Sequence, residues 1–337
     1  MNNKIDIIGP YPPPYGGVSI HISRLLPIMR AEGLNPIIYN QYDYENTNLN
    51  IIATNKKPTW WISYIFKRKS AVVHFHQFSF LHFPYVLLLS WLSNKKFIIS
   101  IHNEKILNSS AMKRQFIFAL LKLTRLARLI VVSKTLYQTM STNNINHVEW
   151  LPAYVPPSQV TKLPLPGSYS LKVAFNAAQL SDFKSVEVYG ADHLFLLAKE
   201  HPLIGFYLFI GDPSSKNYIE QYLLDSNIKN CVVFYGEPMV NYLSDANLFL
   251  RLNRQDAYGI SIQEALDLGV PALASDVCTR ATGCILYETG NYNNLSKVFI
   301  NTLAADPKEL LKTREPVSYH LRLISLYKEL LVQARSK

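Results

Sequence analysis

The sequence predicts an α/β protein built from two Rossmann-like, doubly wound domains facing a cleft. Three observations predict it. Short apolar runs alternate with longer stretches of helical period, the pattern of parallel sheets layered with helices. The alternation stops once, between Leu151 and Gly167, where Pro152, Pro156, Pro157, Pro164 and Pro166 each fix φ and remove a donor. The chain has 337 residues and is 48% hydrophobic, longer than the roughly 250–300 residues that one core organises and apolar enough for two. The reading divides the chain into a domain at 1–155, a linker at 156–170, a second domain at 171–316 and a terminal helix at 317–337.

In the first half, strands are expected at Ile5–Ile8, Asn35–Tyr39, Ala71–Phe75, Lys96–Ile101, Leu129–Val132 and Val148–Leu151, each a short run rich in branched or aromatic residues. Helices are expected at Val18–Glu32, Phe83–Ser93 and Met112–Ala127, where the apolar period lengthens. Past the linker, strands are expected at Leu171–Asn176, Ile204–Ile210, Val232–Tyr235, Leu248–Leu250, Ala272–Ser275 and Cys284–Tyr287. Helices should cover Ala191–Glu200, Ile219–Ser226, Met239–Ser244, Ser261–Leu268, Tyr292–Ala304 and Tyr319–Arg335.

Three cysteines exclude a disulfide scaffold and suit a reducing compartment. The apolar runs at Phe78–Leu92 and Phe116–Val132 are broken by His, Pro or cations and fall short of a membrane span, and no export segment opens the chain. The net charge of +10 is uneven. Residues 1–160 carry 17 Lys+Arg against 6 Asp+Glu, or +11, and residues 161–337 carry 17 against 18, or −1. An anionic partner is expected for the first half: a membrane, a nucleic acid or a phosphorylated substrate.

Two segments can carry chemistry. Gly16-Gly17 follows the first strand and opens a helix, so backbone amides can approach an anion there; the plain alternative is a stiff turn. The second segment runs from Asp256 through Gly259, Ile260, Ser261 and Glu264 to Gly269-Val270-Pro271. It offers amides at Ile260 and Ser261 between two carboxylates, or, more plainly, a Ser261/Glu264 capping box. His74 and His76 share one strand face, but no Cys or carboxylate completes a metal set, so no metal is expected.

Asp256-x7-Glu264, Glu264-Ala265-Leu266…Gly269-Val270-Pro271 and Gly16-Gly17 together resemble family 4 glycosyltransferases. Val72-Val73-His74-Phe75-His76, Ser100-Ile101-His102-Asn103 and Val131-Val132-Ser133 extend the resemblance over nearly the whole chain. It implies the GT-B fold, with the last helix returning toward the first domain, and retaining, metal-independent transfer from a nucleotide-sugar without a cofactor. It also implies roles: Glu264 on the donor's ribose, Asp256 on the transferred sugar, and Gly16, Gly17, Gly259, Ile260 and Ser261 around the diphosphate. His102 would lie beside sugar and acceptor, with His76 and His21 in the cleft. The chain departs from the family pattern where Gln179 and Tyr189 replace an Arg and a Lys, and where Asp256 replaces a Glu. Arg254 is the expected replacement cation, with Arg251 and Lys184 in reserve.

The basic half also suggests a surface. Trp60 and Trp61 precede Lys67-Arg68-Lys69, and the Met112–Leu129 stretch carries Arg125 and Arg128 beside apolar residues, an arrangement suited to an anionic membrane. No signature of nucleic-acid binding is present. The resulting expectation is a peripheral enzyme of the cytoplasmic membrane face, extending a lipid-linked glycan in lipopolysaccharide or other polysaccharide biosynthesis. Two alternatives stay open. One is a nonenzymatic binder of anionic membranes or glycans on a degenerate GT-B scaffold, and the other a nucleotide-sugar epimerase or hydrolase.

Overall fold

The computed structural model describes residues 3–13, 16–54, 70–76, 83–92 and 95–335. These form two compact units, one of Met1–Val155 with Ser318–Lys337 and one of Pro156–Val317.

In the first unit, β1 (Lys4–Gly9) leads into α1 (Gly17–Ala31), followed by β2 (Asn35–Asn40), β3 (Ile51–Ala53) and β4 (Val72–Phe75). Then come α2 (Phe83–Leu92), β5 (Lys96–Ile101), α3 (Ala111–Leu123), β6 (Arg128–Val131), α4 (Lys134–Thr142) and β7 (Val148–Trp150). All seven strands are parallel, in the order β3-β2-β1-β4-β5-β6-β7, so the winding reverses between β1 and β4. Alternate residues face opposite layers. Ile5, Ile7, Val72 and Ile98 enter one core, while Ile8, Val73, Phe75 and Ile99 enter the other. A strand covered on both faces must be apolar throughout, which is why these runs show little alternation.

The second unit runs β8 (Lys172–Ala177), α5 (Phe183–Tyr189), α6 (Ala191–Glu200), β9 (Gly205–Ile210), α7 (Lys216–Asp225), β10 (Cys231–Tyr235) and β11 (Leu248–Arg251). It continues with α8 (Ile260–Asp267), β12 (Ala272–Ser275), β13 (Ile285–Tyr287), α9 (Tyr292–Ala304) and the single turn α10 (Pro307–Leu310). Its six parallel strands are ordered β10-β9-β8-β11-β12-β13, with the reversal between β8 and β11. Gly190 joins α5 to α6 at φ +70°, and a Cβ there would stand 2.2 Å from the Leu252 carbonyl oxygen.

The last helix, α11 (Tyr319–Arg335), belongs to the first unit. Leu323, Ile324, Leu326, Tyr327, Leu330 and Leu331 are buried in the cluster that holds Ile5 and Ile7. Tyr327 also hydrogen-bonds His74 (2.6 Å), whose other ring nitrogen meets Ser100 Oγ at 2.7 Å. The helix is therefore tied to β4 and β5 by a buried polar chain as well as by apolar packing.

Several local expectations are corrected. The helix expected to reach Ala127 ends at Leu123, because Thr124 turns extended (ψ 144°) and its hydroxyl donates to the Leu121 carbonyl. Arg125 and Arg128 are consequently not on that helix. Met239–Ser244 forms two 3-10 turns, Met239–Asn241 and Leu243–Asp245, rather than an α-helix. Four of these elements, β3, α4, α5 and α10, escape the sequence reading. β3 has only three residues, α4 and α5 have nine and seven, and α10 is a single turn, too short to stand out from the loops around them.

Candidate active site

Ligands in open parallel sheets bind beyond the carboxyl ends of the strands, where the winding reverses. In the second unit that point lies between β8 and β11, and their ends are bridged by a hydrogen bond from Arg251 Nη1 to Asn176 Oδ1 (3.1 Å). The same nitrogen reaches Ser261 Oγ at 3.3 Å, and Ser261 in turn donates to Asn176 Oδ1 at 3.2 Å. The remaining two arms of Arg251 grip Asp256, Nε to Oδ2 at 2.8 Å and Nη2 to Oδ1 at 3.1 Å. Arg280 donates to the same Oδ2 at 2.6 Å and is held in place by the carbonyl and hydroxyl of Ser275 at the end of β12.

Burial alone would raise the Asp256 pKa, but Arg251 and Arg280 outweigh it and hold the carboxylate well below its usual range. Tyr189, on α5, lies close enough for the Arg251 charge to oppose the upward shift that burial imposes on its phenol.

Gly259 caps α8 in the left-handed region (φ 77°), and the helix begins at Ile260. The amides of Ile260 and Ser261 have no preceding helical carbonyl to reach, whereas Ile262 N–H donates to the Gly259 carbonyl (2.9 Å). The expected Ser261/Glu264 capping box is not what starts the helix, since Ser261 Oγ engages Asn176 and Arg251 instead. Glu264 lies in the same helix and is buried (6% exposed).

Arg254 is placed differently from the expectation. Its guanidinium pairs with Asp192 at the start of α6 (2.6 Å), donates to the Glu187 carbonyl and meets His193 Nε2. It closes the α5–α6 turn, while Arg251 occupies the β8–β11 reversal. Lys184 sits exposed in the first turn of α5. Sequence spacing could not separate Arg251 from Arg254, because strand register decides which of the two is turned toward Asn176.

In the first unit the reversal lies between β1 and β4, and histidines gather there. His76 follows β4, and its Nδ1 is 2.9 Å from His102 Nε2 beyond β5. His21, on α1, donates from Nδ1 to the Ala153 carbonyl (2.8 Å), with its ring 5.4 Å from that of His76 and 6.1 Å from that of His102. His74 lies 4.0 Å below His76, ring to ring. Gly9 lets the layers meet, since a Cβ there would lie 2.8 Å from Ile22 and 2.9 Å from His76.

Desolvation holds all four imidazoles neutral, His21 down to about 4, His102 to about 3, and His74 and His76 well below their usual range. His76 Nε2 is buried without a partner. Gly16 and Gly17 open α1, with Ser19 Oγ accepting from the Gly16 amide at 2.9 Å and nothing within 4 Å of a Cβ built on Gly17. Among the described residues no group of three or more His, Cys, Asp or Glu could hold a metal ion.

The expected docking residues divide. Trp60, Trp61, Lys67, Arg68 and Lys69 lie outside the described residues. Arg128 opens β6, half-buried, 3.9 Å from Glu149, so it is not a free surface cation. Arg125 stacks at 3.6 Å on Trp91 of α2, whose indole donates to the Leu123 carbonyl. On the same two helices Leu88, Leu92, Met112, Phe116 and Leu123 are also exposed, apolar residues that the sequence reading assigned only in part. Among the described residues no helix is long and apolar enough to cross a membrane.

No protein-family model matches the chain, and no curated protein matches it. Solved structures do. Sucrose-phosphate synthase from Thermosynechococcus elongatus is 15% identical and superposes with a TM-score of 0.72 over 98% of this chain and 99% of its own. HepE from Anabaena, solved with UDP-glucose, is 10% identical, with a TM-score of 0.69 over 99% and 100%. The lipopolysaccharide outer core galactosyltransferase WaaB is 12% identical, with a TM-score of 0.62 over 98% and 99%. Two parallel-sheet α/β units of seven and six strands, matched end to end by these structures, give the chain the GT-B fold of glycosyltransferases.

Proposed function

We propose that the chain is a retaining, metal-independent glycosyltransferase of the family 4 type, moving a hexose from a nucleotide-sugar to a lipid-linked glycan at the cytoplasmic membrane face. The observation that carries this reading is the β8–β11 reversal. There a cationic cluster, the first turn of α8 and the buried Glu264 converge, as an anionic, hydroxyl-rich ligand requires. The donor class is supported by HepE, whose structure contains UDP-glucose, and the polysaccharide setting by WaaB.

In this reading Glu264 receives the ribose, Asp256 the transferred sugar, and the amides of Gly259, Ile260 and Ser261 the diphosphate. His102, with His76 and His21, lies on the acceptor side. A neutral imidazole at His102 can donate or accept one hydrogen bond without adding charge. The C1–phosphate bond breaks as the acceptor oxygen bonds C1 on the same face, and the acceptor proton passes to the departing phosphate oxygen. Catalysis then rests on stabilising the leaving diphosphate more than on a strong protein base.

Membrane attachment is supported by the exposed apolar residues of α2 and α3 and by charge. The first unit carries 21 Lys+Arg against 7 Asp+Glu, and the second 13 against 17. A panel of UDP-, GDP- and ADP-sugars read by thermal shift, followed by turnover, tests the reading. Stabilisation by one donor and its consumption are expected, both altered in Asp256→Asn and Glu264→Gln. Indifference to every donor would overturn the reading, and binding without turnover would favour a nonenzymatic role.

A further inference from the structure

The second unit carries a net charge of −4, so bulk charge repels an anionic donor and local cations must hold it. At the β8–β11 reversal two guanidiniums share one carboxylate, with the Arg251 side chain 14% exposed, Arg280 2% and Asp256 12%. These three groups together hold one positive charge in excess, in a largely dry place. Glu264, one turn into α8, is not among the charges acting on Arg251 or Asp256. Asp276 is the other carboxylate acting on Arg280, but it is exposed and bonded to Thr289, so water screens it. Arg254 does not add to the cluster, since Asp192 neutralises it. Gln179, bonded to Ser181, and Tyr189 bring no charge. A buried excess cation is costly until an anion completes it.

We propose that Arg251 binds the diphosphate of the donor, that Arg280 acts as a positioning residue behind it, and that Asp256 is the counter-ion occupying the pair until the phosphate arrives. This rests on the nucleotide-sugar reading above and assigns its missing cations. Arg251 suits the task because its fork already bridges the ends of both central strands, to Asn176 and to Ser261 at the first turn of α8. Arg280 is too enclosed to reach a ligand. It acts by sharing the Asp256 charge, leaving Arg251 under-neutralised.

The test is calorimetric titration with UDP, GDP, ADP, their nucleosides and inorganic pyrophosphate. Arg251→Gln should weaken the bound nucleoside diphosphate about tenfold to a hundredfold and leave the nucleoside unaffected, as expected for loss of a charge-assisted hydrogen bond. Tyr189→Lys added to that variant should recover part of the loss. Asp256→Asn gives the opposite sign. It frees both guanidiniums, so pyrophosphate should bind several-fold tighter while sugar transfer falls. A purely structural triad would instead bind pyrophosphate no better.

Should Arg251→Gln fail to fold, Asp256→Asn and Arg251→Lys carry the test. Arg251→Lys keeps the charge but loses the fork, and an intermediate loss is expected. The proposal is overturned if a folded Arg251→Gln keeps its preference for the diphosphate over the nucleoside, or if Asp256→Asn does not tighten pyrophosphate. Pyrophosphate bound through Arg251 without any nucleoside diphosphate would keep the anion site and remove the nucleotide-sugar reading. Nucleotide-sugar bound independently of Arg251 would do the reverse.

Discussion

Acidification should unfold the first unit well before carboxylate protonation can act. His21, His74 and His76 are at most 5% exposed, and with His102 they form one cluster held neutral by desolvation. Arg24, from α1, and His320, from α11, face His21 and oppose its protonation further. In the unfolded chain each imidazole titrates near 6.5, so below that pH the unfolded state binds protons that the folded state refuses. Stability present above pH 6.5 is therefore lost as pH falls toward the folded value, about 4 for His21. At pH 5 His21 costs about 2 kcal/mol and the partly exposed His102 somewhat less, while His74 and His76 act in the same direction. That is a large share of the roughly 5–15 kcal/mol total stability of a typical domain.

All four tryptophans (Trp60, Trp61, Trp91 and Trp150) lie in the first unit, so their fluorescence follows its unfolding alone. Urea titrations at pH 7.5, 6.5, 5.5 and 5.0 should show the tryptophan transition moving steeply to lower denaturant below pH 6.5. Equal midpoints at pH 7.5 and 5.0, or resonances assigned to these four imidazoles titrating near 6.5 in the folded protein, would refute the reasoning.

Three further outcomes are expected. Tyr327→Phe removes the His74 partner at 2.6 Å and should cost the first unit about 1–2 kcal/mol by the same fluorescence assay, without altering nucleotide affinity. Gly190→Ala places a methyl 2.2 Å from the Leu252 carbonyl at positive φ, and should lower the second unit's melting transition by roughly 1–3 kcal/mol or more, read by calorimetry. Trp91→Ala combined with Phe116→Glu should reduce flotation with vesicles containing an anionic lipid, as should charge reversal at Lys67-Arg68-Lys69; unchanged flotation would remove that face from the membrane model.

Much of the α/β layering was legible because a parallel strand covered on both faces needs an apolar run. Ile5–Ile8, Lys96–Ile101 and Ala272–Ser275 are such runs, and the structure places strands on all three. β3 and α5 were not legible. β3 makes its pairing with β2 in three residues, and α5 is held by the Asp182–Ser185 cap and by Gly190 more than by an apolar stripe. The α3 boundary was misread because leucines at helical spacing, Leu120, Leu123 and Leu126, continue past the point where the backbone turns extended.

By itself, the sequence determined the two-sheet α/β class, the concentration of positive charge in the first half and the residue types that could serve a phosphate or a sugar. Only the tertiary structure decided which cation stands where. Arg251 and Arg254 are three residues apart, yet one faces Asn176 and Asp256 at the strand reversal and the other Asp192 on α6. Likewise His74, read beside His76 on one strand face, joins Tyr327 of a helix 253 residues distant, while His76 joins His102. The physical reason is range. Apolar periodicity is set by neighbours along the chain, whereas a side chain's electrostatic environment is set by strands and helices that only folding brings together.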